Sequence, residues 1–427
     1  MRALPINLES DMDVGRVGSL LIHALEPVLR GEDIAFVVKF REDYDPDRLW
    51  ASYESLVRRN AALQVGLKPI GKSYSWESVD SAELTAALDQ QRAHFSQPFS
   101  FEELLLPAHA LRPPLPIQVS RVGDREVCFQ MSHAFTSGRG ALQWIEYWLA
   151  TTDGECATVD QKADHTAGRF HSTAPLVGLT LLPFYFLSFL ARAGLKQARK
   201  TVDLTHGKTP IPHDKGYASR TYRFSEQETT RILDKAHALG LSLHQYVCLA
   251  VGEAMLSAHP EKSRVCIAVP TDLARYSPGL PHTVPGNFTG SLSVQLRRGA
   301  PLHSQVARQF RWFRWGIDYW LTRVIGFLSA NQQKLLRTGA RAASLPVLHR
   351  GPFQDVSCAV TNIGSIKSPA ICAQVESGTG TTKSQTVLFT VFRLHGRLTG
   401  NVTFARDLYD ADEVFAIADA ALAKLDS

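Results

Sequence analysis

Near the middle of the chain lie 18 consecutive residues, Ala174–Ala191 (APLVGLTLLPFYFLSFLA), without a single charge. A run of that length just matches the hydrocarbon thickness of a bilayer, and Arg192, Lys196, Arg199 and Lys200 follow it. A true span would put the sequence before it and the sequence after it on opposite sides of a membrane. Pro175 and Pro183 weaken a straight helix there. Two readings stay open. The run is a connector that buries itself against the protein, or it is an interfacial or re-entrant anchor whose basic flank meets lipid headgroups.

The same style of patterning occurs on both sides of this run. Before it, Ile34–Phe40 is an apolar, β-branched run that reads as a buried strand, and Asp45-Pro46 reads as an N-cap and first turn. Leu49, Tyr53, Leu56 and Val57 then recur at helical spacing, and Leu63–Leu67 reads as another strand. Ile117–Val122 and Val127–Met131 flank the turn dipeptide Gly123-Asp124, and a helix follows with Leu142, Ile145, Trp148 and Leu149 on one face. Asp164–Lys215 is irregular in composition and reads as a connection. After it, Ser225-x-x-Glu228 is a capping box for a helix that stops at Gly240, and Ser242 caps the next, which carries Val247, Leu249 and Val251. Strands are expected at Arg264–Val269, Ser291–Leu296, Val356–Thr361, Thr386–Leu394 and Leu398–Phe404, with long helices at Phe310–Leu328 and about Asp412–Lys424. The expected class is α/β (α+β), in two lobes of about 200 residues, each able to cover its own sheet. The division falls at 1–165, a connection at 166–215, and 216–427.

Composition removes several classes of function. Apolar residues make up 44% and charged residues 20%, which excludes wholesale disorder. A net charge of +5 over 427 residues is too dilute for a dedicated nucleic-acid binder, though it favours an anionic membrane surface weakly. The six cysteines form no C-x-x-C pair and no zinc spacing, so no metal is expected and the compartment reads as reducing. Met1–Val14 holds no apolar run, so no secretory signal is visible. The expected location is cytoplasmic, with possible peripheral contact at the inner membrane surface through 174–191. In Phe310–Leu328, Phe313, Ile317, Trp320, Val324 and Phe327 share one face, Trp312, Trp315 and Tyr319 widen it, and Arg311, Arg314 and Asp318 lie opposite, a stripe that suits either core or headgroup depth.

The chemistry-bearing residue is His133. It leaves an alternating strand, Val127–Met131, and enters a small-residue turn, Thr136-Ser137-Gly138, that opens a helix. Such a turn lets backbone approach a ligand closely, and the free N–H groups at the helix start point to the same space. A histidine base beside fixed N–H donors suits acyl transfer, in which the imidazole takes a proton from an attacking hydroxyl or amine and the donors meet the oxyanion. No G-x-S-x-G elbow, Walker loop, H-E-x-x-H or dinucleotide fingerprint is present.

Ser132-His133-Ala134-Phe135-Thr136-Ser137-Gly138 resembles the HHxxxDG signature of the condensation-domain and CoA-dependent acyltransferase superfamily. That group includes polyketide-associated acyltransferases, wax ester synthases and alcohol acetyltransferases. Asp45–Leu49 with Leu56–Leu63, Val269–Arg275, Pro285-Gly286-Asn287-Phe288 and Thr361-Asn362-Ile363-Gly364 resemble further segments of the family, in family order over nearly the whole chain. The resemblance implies two chloramphenicol-acetyltransferase-like lobes in a V-shaped pseudo-dimer with a tunnel between them. His133 would lie mid-tunnel as the general base, and Gly138 falls on the motif glycine. Ser132 replaces the first histidine. Ser137 replaces an aspartate that in the family pairs with an arginine, here Arg275, which must then find another acceptor. The serine can still cap the helix, but its presence leaves open a non-catalytic protein that binds an acyl ligand or a carrier protein. Asn287, Thr361 and Asn362 are tunnel-lining expectations; Asn287 reads equally as a turn residue, and the other two as strand-end hydrogen-bonding groups.

The implied activity is acyl transfer from a thioester, on CoA or a phosphopantetheine carrier protein, to a hydroxyl or amine of a lipophilic or secondary-metabolite acceptor. It would use no tightly bound cofactor and no metal, and the protein would act as a monomer.

Overall fold

The first strand, β1 (Asp33–Phe40), is apolar without a break from Ile34 to Val38, because both of its faces are covered there. Ile34, Phe36, Val38 and Phe40 enter one core, whereas Ala35 and Val37 enter another. α1 (Pro46–Arg59) follows, with the Asp45 carboxylate accepting the Asp47 N–H at 2.9 Å. Next come β2 (Val65–Ile70), β3 (Ser73–Ser78), α2 (Ser81–Phe95), the single turn α3 (Phe101–Leu104), β4 (Ile117–Arg121), β5 (Glu126–Ser132) and α4 (Gly138–Thr152). In α4, Leu142, Ile145, Trp148 and Leu149 are all buried. α5 (Ala174–Arg192) leads to β6 (Tyr217–Arg223), α6 (Glu226–Ala238) and α7 (Leu243–Ala258). The expected capping box of Ser225 with Glu228 forms, the expected cap at Ser242 is also a full box with Gln245, and Gly240 ends the α6 turn with φ +67°. The chain closes with β7 (Arg264–Asp272), β8 (Thr289–Arg297), α8 (Leu302–Arg314), β9 (Cys358–Ile366), β10 (Cys372–Thr379), β11 (Val387–Leu394), β12 (Arg397–Ala405) and α9 (Ala411–Asp426). This computed structural model describes residues 33–70, 73–104, 115–133, 135–152, 174–192, 200–208, 217–276, 289–321, 356–366, 372–379 and 387–426.

The strands make a four-stranded sheet in the order β10-β1-β5-β4, a six-stranded sheet in the order β6-β12-β11-β9-β7-β8, and the β2-β3 hairpin. The second sheet is mixed: β9 runs parallel to β7 and β11, and the other pairs are antiparallel. The first sheet is not made by the first half of the chain alone. β10 lies antiparallel on β1, with Val375 opposite Val38 and Thr379 opposite Ile34. Ile363, Ile366, Cys372, Val375, Phe392 and Leu394 complete the core that β1, β5, α1 and α4 build. The mixed helix-and-sheet class is the architecture observed, with one strand exchanged between its two parts.

Three expectations are corrected. The strand Leu63–Leu67 begins at Val65, because Ala61–Leu63 closes as a 3-10 turn behind α1. The helix Phe310–Leu328 starts earlier, at Leu302, and breaks after Arg314, where Gly316 takes φ +71°; residues 317–321 are helical again, and Val324 and Phe327 lie outside the described residues. Within the stretch 164–215, expected to be irregular, Ala174–Arg192 is a helix with Pro183 inside it. Among the described residues no single helix is long and apolar enough to cross a bilayer.

Candidate active site

β5 ends at Ser132, and the chain turns at once. The Ser132 carbonyl accepts the N–H groups of Phe135 (2.9 Å) and Thr136 (3.2 Å), and its own N–H donates to the Pro116 carbonyl at 2.9 Å. This tight turn puts His133 at the strand exit and Ser137 at the start of α4. Ser137 is buried, and its Oγ accepts the Gly140 N–H at 3.3 Å, so it caps the helix as a serine should.

His133 opens onto a cavity of about 310 Å³ bounded by both sheets. Ile34 and Phe36 of β1 form one wall, and Ser137, Gly138 and Arg139 of the α4 start form a second. From the six-stranded sheet come Pro270, Thr271 and Asp272 at the end of β7, Thr289 on β8, Thr361–Gly364 on β9, and Leu388 and Thr390 on β11. His133, Ser137, Gly138, Thr361 and Asn362 are therefore brought to one place by two sheets. Ser132 supports the turn from behind, and Asn287 lies outside the described residues.

Desolvation holds the His133 imidazole below the ordinary histidine range; its own backbone and that of Thr136 oppose the shift without reversing it. Nδ1 is sealed from solvent and has no hydrogen-bond partner among the described residues. The ring is thus neutral at physiological pH, the state a general base needs.

The β9 wall is shaped by a bulge. Asn362 pairs with Val391 of β11, but Phe392 pairs with Gly364, which leaves Ile363 as the extra residue. Gly364 takes φ +100°, where a Cβ is strained, and its N–H donates to Asn362 Oδ1 at 3.0 Å. The bulge carries Ile363 to the start of α4. The Thr361–Gly364 segment thus has a local structural reason for its composition as well as a place on the cavity wall.

Arg275 does not reach Ser137. Its guanidinium donates to Asp318 Oδ2 at 2.6 Å, and Asp318 is fully buried. The same carboxylate accepts the hydroxyls of Tyr276 at 2.6 Å and Thr271 at 2.7 Å. Asp318 is thus the acceptor that Arg275 finds in this structure, and Thr271 links the network to the cavity wall. Five further polar groups at the cavity are not among the site residues expected from the sequence: Arg139, Thr271, Asp272, Thr289 and Thr390. Arg139 Nη1 of α4 lies 3.8 Å from Asp272 Oδ2 of β7, an ion pair across the cavity rim. A strand-end aspartate and a helix-start arginine more than a hundred positions apart carry no sequence signal of their meeting. No group of three or more metal-ligating side chains occurs among the described residues.

No protein-family model matches the sequence, and a search of curated proteins finds no relative. Solved structures are similar over nearly the whole chain. The trichothecene 15-O-acetyltransferase from Fusarium sporotrichioides superposes with a TM-score of 0.64 at 12% identity, covering 96% of this chain and 94% of that one. The first condensation domain of the CDA synthetase gives 0.60 at 14% identity over 97% and 94%. Polyketide synthase associated protein 5 from Mycobacterium tuberculosis gives 0.58 at 12% identity over 96% and 98%. The fold is the one these three proteins share.

Proposed function

We propose that this chain, built on the fold of condensation domains and acetyltransferases, transfers an acyl group from a thioester to a hydroxyl or amine. The donor is acyl-CoA or an acyl carrier protein, and the acceptor is a lipophilic or secondary-metabolite molecule. The observation that carries the reading is the neutral, part-buried His133 on a cavity walled by both sheets. In this reading the parts 1–165 and 216–427 act as two lobes joined through 166–215, and donor and acceptor enter the space between them from opposite ends.

With Nδ1 sealed, Nε2 is the nitrogen left to work. As the acceptor oxygen or nitrogen forms its bond to the thioester carbonyl carbon, Nε2 takes its proton. The carbonyl oxygen becomes an oxyanion facing the start of α4, whose N–H groups and dipole favour negative charge. When the C–S bond breaks, the imidazolium returns the proton to the leaving thiolate. The products are an ester or amide and a free thiol. An activated thioester and a positioned base suffice, so the reaction calls for no metal and no tightly bound cofactor.

A second reading has its own support: Ser137 stands where the family motif has a carboxylate, and no described side chain orients His133 through Nδ1. A protein that only holds an acyl ligand or carrier protein in the same cavity would show these features. Thioester turnover decides between the two. An active wild type that loses at least about tenfold, or 1.4 kcal/mol, in His133→Ala supports the enzyme. Equal acyl release by the two proteins supports the binder.

A further inference from the structure

We propose that the outward face of α5, together with Trp315, is a docking surface for anionic lipid bilayers, on which the protein lies without crossing them. α5 is committed to the protein on one side only. Gly178, Leu181 and Tyr185 share the inward face. A Cβ on Gly178 would lie 2.5 Å from the Trp315 carbonyl, and Tyr185 packs edge-on to Trp312 with centroids 5.6 Å apart. The helix is thereby pressed against the break after α8, and with half its circumference occupied it cannot act as a free transmembrane span.

The opposite face is apolar and open. Phe184 is 64% exposed and Leu187 65%, and Val177 and Leu179 are exposed beside them. Among the described residues six large apolar side chains are exposed; four of them lie on α5, and a fifth, Trp315, sits in the turn after α8 against which Gly178 of α5 packs. Contiguous apolar exposure of this kind marks a partner or a membrane.

The charge around the patch selects a bilayer. Neither α5 nor α8 contains an acidic residue. Arg311 and Arg314, on the last turn of α8 beside Trp312 and Trp315, are exposed. A protein partner calls for a polar rim of mixed hydrogen-bonding groups. A charge-free apolar helix face bordered by tryptophan and arginine, all of one sign, complements acyl chains below and anionic headgroups above. An enzyme or carrier held this way would have its cavity supplied from the bilayer, which suits lipophilic substrates.

Vesicle flotation of the full chain tests this, with phosphatidylcholine alone and with about 30% phosphatidylglycerol added. The intact chain should float with the anionic vesicles and release as salt rises from about 0.05 to about 0.5 M. Phe184→Ser/Leu187→Ser should bind at least about tenfold more weakly. Arg311→Glu/Arg314→Glu should lose the preference for anionic vesicles. Circular dichroism and thermal midpoints check that both variants fold. Independently of those variants, lipids brominated near the headgroup should quench a component of tryptophan fluorescence that Trp315→Phe removes. The proposal is overturned if the intact chain stays with neither vesicle and shows no quenching, or if Phe184→Ser/Leu187→Ser floats like wild type. It is equally overturned if that variant instead dissolves a lipid-independent dimer, which would make this face an interface between copies.

Discussion

Gly138, the first residue of α4, and Ile363, the bulged residue of β9, are fitted to one another: a Cβ on Gly138 would lie 2.8 Å from Ile363 Cγ2. This is where the His133 turn meets the six-stranded sheet, so the contact sets the width of the cavity. Gly138→Ala should destabilise the protein by about 1–3 kcal/mol through overpacking and lower turnover, because the neighbouring His133 turn must shift. Ile363→Ala placed in the same chain should recover part of both losses. Thermal midpoints and thioester turnover of the two single variants and the double variant measure it. Additive losses would mean that the two residues do not communicate.

That fit shows where sequence reading succeeds and where it stops. His133 at a strand exit, Ser137 as a helix cap and the apolar face of α4 are consequences of short-range spacing, and each is visible in a dozen residues. The capping boxes at Ser225 and Ser242 are local in the same way. β10 was invisible because its strand partner, β1, lies more than three hundred positions away, and its own Cys372–Thr379 sequence holds small and polar residues among the apolar ones. The Arg139–Asp272 and Arg275–Asp318 pairs are settled by the packing of separate elements, so no spacing rule reaches them. The break at Trp315-Gly316 is hidden in the sequence because the apolar stripe continues across it, although a glycine with positive φ ends the helix.

Burial holds both His133 and His244 below their ordinary pKa of 6.5. Above that value the folded and unfolded chains both carry neutral rings, and the two residues add no pH dependence. As pH falls through 6.5 the unfolded chain takes up protons that the folded chain refuses, so stability declines until the lowered folded pKa is reached. The thermal midpoint should therefore fall between about pH 7 and about pH 5, and fall less steeply in His133→Gln and in His244→Gln. The glutamine at 244 can still donate to the Val360 carbonyl, as His244 Nε2 does at 2.9 Å. An unchanged slope in both variants would show that the buried rings are not the source.

The same ring should set the acid limb of the rate profile. kcat/KM should rise with pH along a limb whose midpoint lies below 6.5, since the neutral imidazole is the active form. Ser137→Asp keeps the helix cap and brings a carboxylate to the cavity. That charge favours the imidazolium, so the limb should move to higher pH. A profile that ignores this substitution would separate Ser137 from the base.

Asp318 accepts three donors in a fully buried site, and Arg275 supplies its countercharge. Arg275→Met leaves a buried carboxylate with two hydroxyls and no cation. Arg275 is partly exposed, so water recovers some of the loss; the expected cost is about 2–3 kcal/mol, at the low end for breaking a buried pair. Arg275→Met/Asp318→Leu should be more stable than Arg275→Met, because the orphaned charge is gone. Denaturant midpoints of the three chains check the order. Turnover should drop in both variants, since Thr271 on the cavity wall loses or changes the partner that fixes its hydroxyl.

The exchange of β10 couples the two parts of the chain. β10 covers the outer edge of β1, and Cys372 and Val375 fill the core beneath it. Cutting the chain at 165 would leave β1 with an open edge and its core short of six side chains contributed by β9, β10 and β11. An open apolar edge strand pairs with other chains. Residues 1–165 expressed alone should therefore aggregate or lack a cooperative transition. The full chain should melt in one calorimetric transition, because unfolding either part removes a strand or a core wall from the other. Val375→Ala should lower that single midpoint, at a cost of about 1–3 kcal/mol. Two separated transitions, with Val375→Ala moving only the one that belongs to the six-stranded sheet, would show that the exchanged strand adds no coupling.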